Sequence, residues 1–331
     1  MSGVAKGVVL QGVDPPAQLV EWAQDFERMG FDHLWMTDSS LHARDPYQML
    51  ALAAAATHRI TLGTAVTNPV TRHPALTAVS SATLDEASGG RAILGIGAGD
   101  RPLVALGLEP ARLSALEQSI GAIRALHRGE HLDLDADRFS FHDAHLRIPA
   151  RSDIPVFISA SGPKTLQLSG RIADGVILLC GLDPGVVGWA IDQIASGAAT
   201  ADRSMPHIAV FAYGIIDEDE DAALAGARSI AAWFPQTAPH YCDLVGLDPD
   251  IRDAVRERYA GGEFQEADAA AALLPADFVR KMALSGNRDR TTAQLRALAD
   301  AGVDSINVFP LGNDRRATID AFDECFVAAG I

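Results

Sequence analysis

Eight short runs rich in Val, Ile and Leu recur along the chain, each followed by a longer segment whose apolar residues repeat at helical spacing. A run that stays apolar at successive residues is buried on both faces. Such strands alternating with helices make a parallel sheet covered by its own crossover helices. The strand candidates are Gly7 to Gln11, His33 to Met36, Ile60 to Val66, Ala92 to Gly97, Val156 to Ser159, Gly175 to Cys180, Ile208 to Ile216 and Ser305 to Phe309. Eight β-then-α units predict an α/β fold, a (β/α)8 TIM barrel. The 331 residues, 48% of them hydrophobic, suffice for one such domain over 1–331.

A weak internal repeat agrees with this reading. Met29-Gly30-Phe31-Asp32 and Ala301-Gly302-Val303-Asp304 each put Gly and then Asp just ahead of a strand, and Ala173-Asp174-Gly175 is a looser variant. Glycine commonly follows a helix because it takes positive φ without a Cβ clash, so these joints mark helix-to-strand turns. Two segments exceed the simple count. Asp135 to Arg147 alternates polar and apolar residues around Phe139, Phe141 and Leu146, which predicts a small hairpin. Residues 235–287, with Gly261-Gly262 and the helical runs Asp250 to Tyr259 and Asp277 to Leu284, predict a helical insertion after the seventh strand. Such insertions cover the active face of a barrel or make a subunit contact.

Composition removes several classes of function. With 27 basic and 43 acidic residues the formal charge is -16, which repels nucleic acid and anionic lipid. Cys180, Cys242 and Cys325 show neither CxxC spacing nor the density of a disulfide scaffold, which fits a reducing cytoplasm. Met1 to Val13 lacks the apolar run of a signal peptide, and no later stretch is long and apolar enough to span a bilayer. The expectation is a cytoplasmic protein with no membrane or nucleic-acid partner. His142 and His145 form the only close ligand-like pair, without a third ligand nearby, so no metal is expected. GxSxG, HExxH and P-loop signatures are absent from the sequence.

In a barrel the catalytic groups come from the C-terminal ends of the strands. The fifth strand runs into Ser159-Ala160-Ser161-Gly162-Pro163-Lys164, where small residues leave backbone N–H groups exposed at a helix start and Lys164 adds a positive charge. That combination suits an anion such as a phosphate, and it also suits an ordinary helix capped by Ser161. Gly95-Ile96-Gly97-Ala98-Gly99-Asp100 has GxGxG rather than GxGxxG spacing and so is a weak dinucleotide signal. Its glycines would let a planar ring approach the backbone, or they make a Gly-rich turn with a solvated Asp100. Asp38 follows the apolar Trp35 and Met36 at a strand end, where it can act as an acid, hydrogen-bond a ring or cap the next helix.

Together these segments resemble a known family. Gly63-Thr64-Ala65-Val66-Thr67-Asn68-Pro69-Val70-Thr71-Arg72-His73-Pro74 is similar to the strand-three region of 5,10-methylenetetrahydromethanopterin reductases, members of the luciferase-like superfamily. Further matches are Ala82-Thr83-Leu84-Asp85-Glu86 with Gly90-Arg91, Leu94 to Asp100, and Ser161 to Thr165 with Arg171 to Val176. The resemblance is carried mainly by the first 180 or so residues. It implies a luciferase-like barrel using the deazaflavin coenzyme F420, with FMN as the alternative, and a homodimer acting on a small-molecule substrate. It also implies a cis peptide at Ala65-Val66.

Carried over residue by residue, the resemblance puts Asp38, Val66, Thr67 and Asn68 on the ring system and Gly97, Ala98 and Gly99 along its other edge. Ser161, Gly162 and Lys164 fall at the phosphate, and Cys180 with Gly181 completes the wall. The implied activity is hydride transfer to or from a C=N, C=C or C=O bond, with Asp38 or Asp100 as the acid. An FMN-dependent monooxygenase and a flavin-binding barrel without turnover are the other readings. Ser39 replaces the His that many relatives carry after this Asp, which speaks against the family's alcohol and sugar dehydrogenases. Strand one carries no carboxylate, which speaks against true methanopterin reductase activity.

Overall fold

A computed structural model of the chain describes residues 3–259 and 267–331. Gly261 and Gly262 of the expected insertion lie outside the described residues. The strands are β1 (Ala5–Leu10), β2 (His33–Met36), β3 (Thr61–Thr64), β4 (Ala92–Ile96), β5 (Leu132–Asp135) and β6 (Ser140–Ala144). They continue with β7 (Val156–Ala160), β8 (Gly175–Leu178), β9 (His207–Ile216), β10 (Leu284–Gly286) and β11 (Ser305–Pro310). The large sheet runs β10-β9-β11-β1-β2-β3-β4-β7-β8, and β8 also pairs with β9. Eight parallel strands with helices between them therefore close into a (β/α)8 barrel.

All eight expected strands form, with shifts at their ends. The third stops at Thr64 rather than Val66 because the chain leaves the extended path there. The hairpin β5–β6 pairs Asp135 with Ser140, so its first strand precedes the segment from which it was predicted. β10 was not predicted: three residues with one large apolar side chain carry no periodic signal, and the strand exists by pairing with the end of β9. The insertion is helical at Trp233–Thr237, Pro239–Leu244, Pro249–Arg258 and Ala276–Met282. Gly30 and Gly302 both take positive φ, 78° and 90°, as helix-to-strand turns require. Gly175 instead lies inside β8, where a Cβ would sit 2.4 Å from the Phe157 ring.

By contact density the chain divides into two compact units. The first comprises the residues up to Val8, Ser161–Arg171 and Leu178–Ile331. In it β11 pairs with β1 and β9 in parallel. Lys6, opposite Ile306 in the register, makes an ion pair with Asp323 of the helix Arg315–Ala329, which marks the helix-facing side of these strands. Ser305 and Asn307 therefore face the other way, and both are fully buried. They satisfy one another there: Asn307 Nδ2 donates to Ser305 Oγ at 3.2 Å, and His207 Nε2 lies 2.9 Å from the same oxygen.

The second unit, Val9–Ala160 with Ile172–Ile177, holds β2, β3, β4 and β7 side by side. Segments that carry the family resemblance turn out to be clamps here. The Arg91 guanidinium donates to the carbonyls of Ala54, Thr57 and Ile60, tying the end of one helix to the start of β3. Buried Asp85 accepts two hydrogen bonds from Arg151 and one from the backbone of Ala92 at the start of β4. Asp85, held between Arg151 and the backbone of Ala92, thus secures the start of β4.

Candidate active site

The exit of β3 is the most constrained part of the second unit. The Ala65–Val66 peptide is cis. Its flanks are pinned on both sides: Ala65 N donates to Met36 O at 2.7 Å, Thr67 N to Gly95 O at 3.0 Å, and Gly97 N to Thr67 O at 2.9 Å. Thr64 Oγ1 donates to Gly95 O at 2.7 Å and accepts from Gly95 N at 3.0 Å. Gly95 is required by this seat, since a Cβ there would lie 1.9 Å from Thr64 O. At Gly97 a Cβ would lie 2.9 Å from Val66 Cγ2. The sequence reading offered these glycines either to an approaching ring or to a Gly-rich turn. In the structure the room beside Gly95 and Gly97 is used by the protein's own bulge, with the Val66 side chain and Ser159 next to Gly97.

Thr67 is fully buried, and its Oγ1 and the buried Tyr47 hydroxyl interact with one another and, among the described residues, hydrogen-bond no other side chain or backbone group. Asn68 is buried too. Its Oδ1 accepts from Val70 N, Thr71 N and Thr71 Oγ1 at 2.9 to 3.2 Å, which shapes the loop and turns the amide's donor end elsewhere. Gly99 abuts Asn68 and Leu103. Asp100 is exposed at the start of the short helix Arg101–Val104 and makes no side-chain cap. That is not the setting of a buried acid.

Asp38 is differently placed. Its carboxylate, 6% exposed, accepts from Arg72 Nε at 2.8 Å and lies 3.4 Å from Arg72 Nη2. The same Nη2 donates to Asp45 at 2.6 Å, and the guanidinium lies 5.1 Å from the centre of the Tyr47 ring. Asp45 spends its other oxygen capping the helix Pro46–Ala56 through Tyr47 N and Gln48 N. Burial opposes charge on Arg72, but its hydrogen bonds to Asp38 and Asp45 outweigh that and hold the guanidinium above its ordinary value. Burial likewise would raise the Asp45 carboxyl, and the Arg72 hydrogen bond and the helix N–H groups hold it below its ordinary value. The sequence reading did not single out Arg72, Asp45 or Tyr47. The Arg72 signal lay in the matched Thr71-Arg72-His73-Pro74, but nothing there named its partner 34 residues away.

In the first unit, Ser161 precedes the helix Pro163–Ile172. The Ser161 carbonyl accepts from His240 Nε2 at 3.0 Å and from the buried Tyr241 hydroxyl, both on the insertion helix Pro239–Leu244. No atom comes within 4 Å of a Cβ built on Gly162, and Pro163 and Lys164 are exposed, so the helix start has open space beside it. Cys180 does not present its thiol: it is fully buried, and burial pushes it up to about 12. Gly181, at φ 86°, lies against Met282 Sδ and Lys281 O. The wall assigned to this pair is thus backbone at most. Among the described residues no group of three or more His, Cys, Asp or Glu is arranged to hold a metal ion.

Taken separately, the second unit offers the Asn68 amide donor at the β3 exit, and the first offers a helix start with open space in which an anion fits. A closed parallel barrel with these strand exits is the architecture of the luciferase-like enzymes. A sequence profile of luciferase-like monooxygenases matches residues 2–305, and the chain belongs to that family. A 5,10-methylenetetrahydromethanopterin reductase of Methanolobus tindarius is 34% identical over 322 residues, covering 95% of this chain and 96% of the relative. One from Archaeoglobus fulgidus is 34% identical, covering 88% and 90%. The solved coenzyme F420 dependent tetrahydromethanopterin reductase from Methanopyrus kandleri has a TM-score of 0.86 at 27% identity over 99% of both chains.

Proposed function

We infer that this protein is an F420-dependent oxidoreductase, acting as a reductase on a C=N, C=C or C=O bond of a small organic substrate. The observation that carries the reading is similarity at 34% identity along nearly the whole chain to reductases of that type, on a fold whose strand exits offer the needed groups. Bound at the barrel, the deazaflavin would supply two-electron hydride chemistry. The protein's own part is orientation. Ala65 and Val66, with Gly97, Ala98 and Gly99 behind them and Ser159 beyond, support one face of the ring. The Asn68 amide would donate to its edge, with Thr67 beside it. Residues from Ala160 and Ser161 through Gly162, Pro163 and Lys164 hold the phosphate at a helix start, and the Cys180–Gly181 backbone closes that side.

Asp38 in this reading serves as a hydrogen-bond acceptor, because its carboxylate is held in one orientation by the Arg72 guanidinium. Asp100, exposed at the start of the helix Arg101–Val104, remains the other candidate for the acid. The three free, buried cysteines support a cytoplasmic location, and the family supports a homodimer; light scattering of the purified protein checks the latter.

The test is a fluorescence and absorbance titration of the apo-protein with oxidised F420 and, separately, with FMN. Saturable preference for F420, followed by anaerobic turnover with reduced F420, is the expected result. Preference for FMN with oxygen consumption would move the protein to the monooxygenases of its family. Tight binding with neither activity would make it a flavin carrier.

A further inference from the structure

The Asp38–Arg72–Asp45 cluster joins two pieces of chain, the connection from β2 to the helix Pro46–Ala56 and the loop after β3, and its order of dependence can be read from its bonds. Asp45 is fixed first, by the backbone N–H groups of the helix it caps. Arg72 is fixed next, by Asp45 on one nitrogen, by the Tyr47 ring beneath it, and by the loop that Asn68 Oδ1 folds through Val70 and Thr71. Asp38 comes last, gripped by Nε and Nη2 of the same guanidinium.

We propose that Arg72 is a positioning residue of the active centre, which acts through Asp38 by holding its carboxylate in one orientation as a fixed hydrogen-bond acceptor for the bound ring. The proposal rests on the assignment of Asp38 to the cofactor ring made above. The obvious other role for a cation beside a cofactor site is binding a ligand's anion, and the geometry opposes it. Nε and Nη2 of Arg72 are already engaged by two carboxylates and the guanidinium stands over an aromatic ring, so a ligand's anion would meet at most Nη1 and not the bidentate fork. Lysine cannot reproduce the arrangement, because a single ammonium lacks the planar fork that reaches both carboxylates at set angles.

The experiment is a double-mutant cycle on F420 binding with Arg72→Ala, Asp38→Asn and the two combined, with Arg72→Lys as the conservative partner. Loss of one charge-assisted hydrogen bond weakens binding by about tenfold or more, so Asp38→Asn and Arg72→Ala are each expected to lose about tenfold. If Arg72 acts through Asp38, Arg72→Ala adds less than about twofold in the Asp38→Asn background, whereas independent sites would multiply their effects. Arg72→Lys should fall between wild type and Arg72→Ala. Should Arg72→Ala not fold, the same cycle is run with Arg72→Lys, where the same collapse of the effect in the Asp38→Asn background is required.

Equal losses for the Arg72 variant in both backgrounds would overturn the proposal while leaving the cofactor reading intact. Wild-type protein that binds neither F420 nor FMN would overturn both. Asp38→Asn without effect on binding would overturn the proposal alone if wild type binds F420.

Discussion

Replacing Gly95 by alanine tests whether the β3 exit is seated as described. The new methyl would lie 1.9 Å from Thr64 O, where van der Waals contact needs well over 3 Å, and the obstacle is backbone rather than a movable side chain. To make room, the Thr64–Val66 segment must move by more than an ångström. That shift breaks or stretches the two Thr64–Gly95 hydrogen bonds and the one from Thr67 N to Gly95 O. Overpacking of a tight core costs about 1–3 kcal/mol and each of the three net hydrogen bonds about 1 kcal/mol, so the substitution should cost about 4–6 kcal/mol. Over 331 residues, at about 2.1 cal/mol/K each, the unfolding entropy is about 0.7 kcal/mol/K, which turns that loss into a melting point lower by roughly 6–9 °C. The control is Gly162→Ala, where a Cβ meets nothing within 4 Å and the melting point should stay within about 1 °C. The assay is differential scanning calorimetry of both variants beside wild type, with F420 titration of each folded protein. A Gly95→Ala protein that melts with wild type and binds cofactor as tightly would refute the seat.

Three other outcomes follow from the same geometry. Gly162→Asp adds a negative charge at the open helix start without a steric cost, so it should weaken binding of phosphate-bearing FMN or F420 by about tenfold and leave riboflavin binding unchanged; equal effects on both ligands would remove the anion site. Asp45 is held below the ordinary aspartate value of 3.8, so its contribution to stability is present above that pH and is lost as pH falls through its lower folded value. The melting-point gap between wild type and Asp45→Asn is therefore expected at neutral pH and should narrow once the pH is taken below 3.8; a gap that does not change with pH contradicts the ion pair. Cys180 and Cys242 are buried with thiols pushed up to about 12, and Cys325 is buried and raised as well. Iodoacetamide at pH 8 should then label no thiol quickly in the native protein and all three after denaturation, as read by mass spectrometry; rapid native labelling of Cys180 would mean that its side chain opens to the site.

The strands were legible because doubly buried parallel strands have to be apolar at consecutive positions, a local property that survives in the linear order of residues. Val156 to Ser159 and His33 to Met36 could be placed within a residue for that reason. β10 could not, since Leu284–Gly286 becomes a strand only by lying along Gly214–Ile216, some 70 residues earlier in the chain. The candidate site divides along the same line. The segments Thr64 to Asn68, Gly95 to Asp100 and Ser161 to Lys164 stand out by composition, so the sequence alone marks where a ligand is proposed to bind and which family the chain resembles.

What each of those residues does was decided by partners that no local pattern names. The orientation of the Asp38 carboxylate depends on a guanidinium 34 positions on, and the tie on Ser161 depends on His240 and Tyr241 about 80 positions on. The glycines of Gly95 to Gly99 look alike in sequence, yet two make room for the chain's own bulge and one turns the backbone at φ 88°. Periodicity records burial, which is a property of each residue with its near neighbours. The charge state, orientation and accessibility of a side chain are set by whichever distant groups the closed sheet brings within a few ångströms, and only the tertiary structure contains that information.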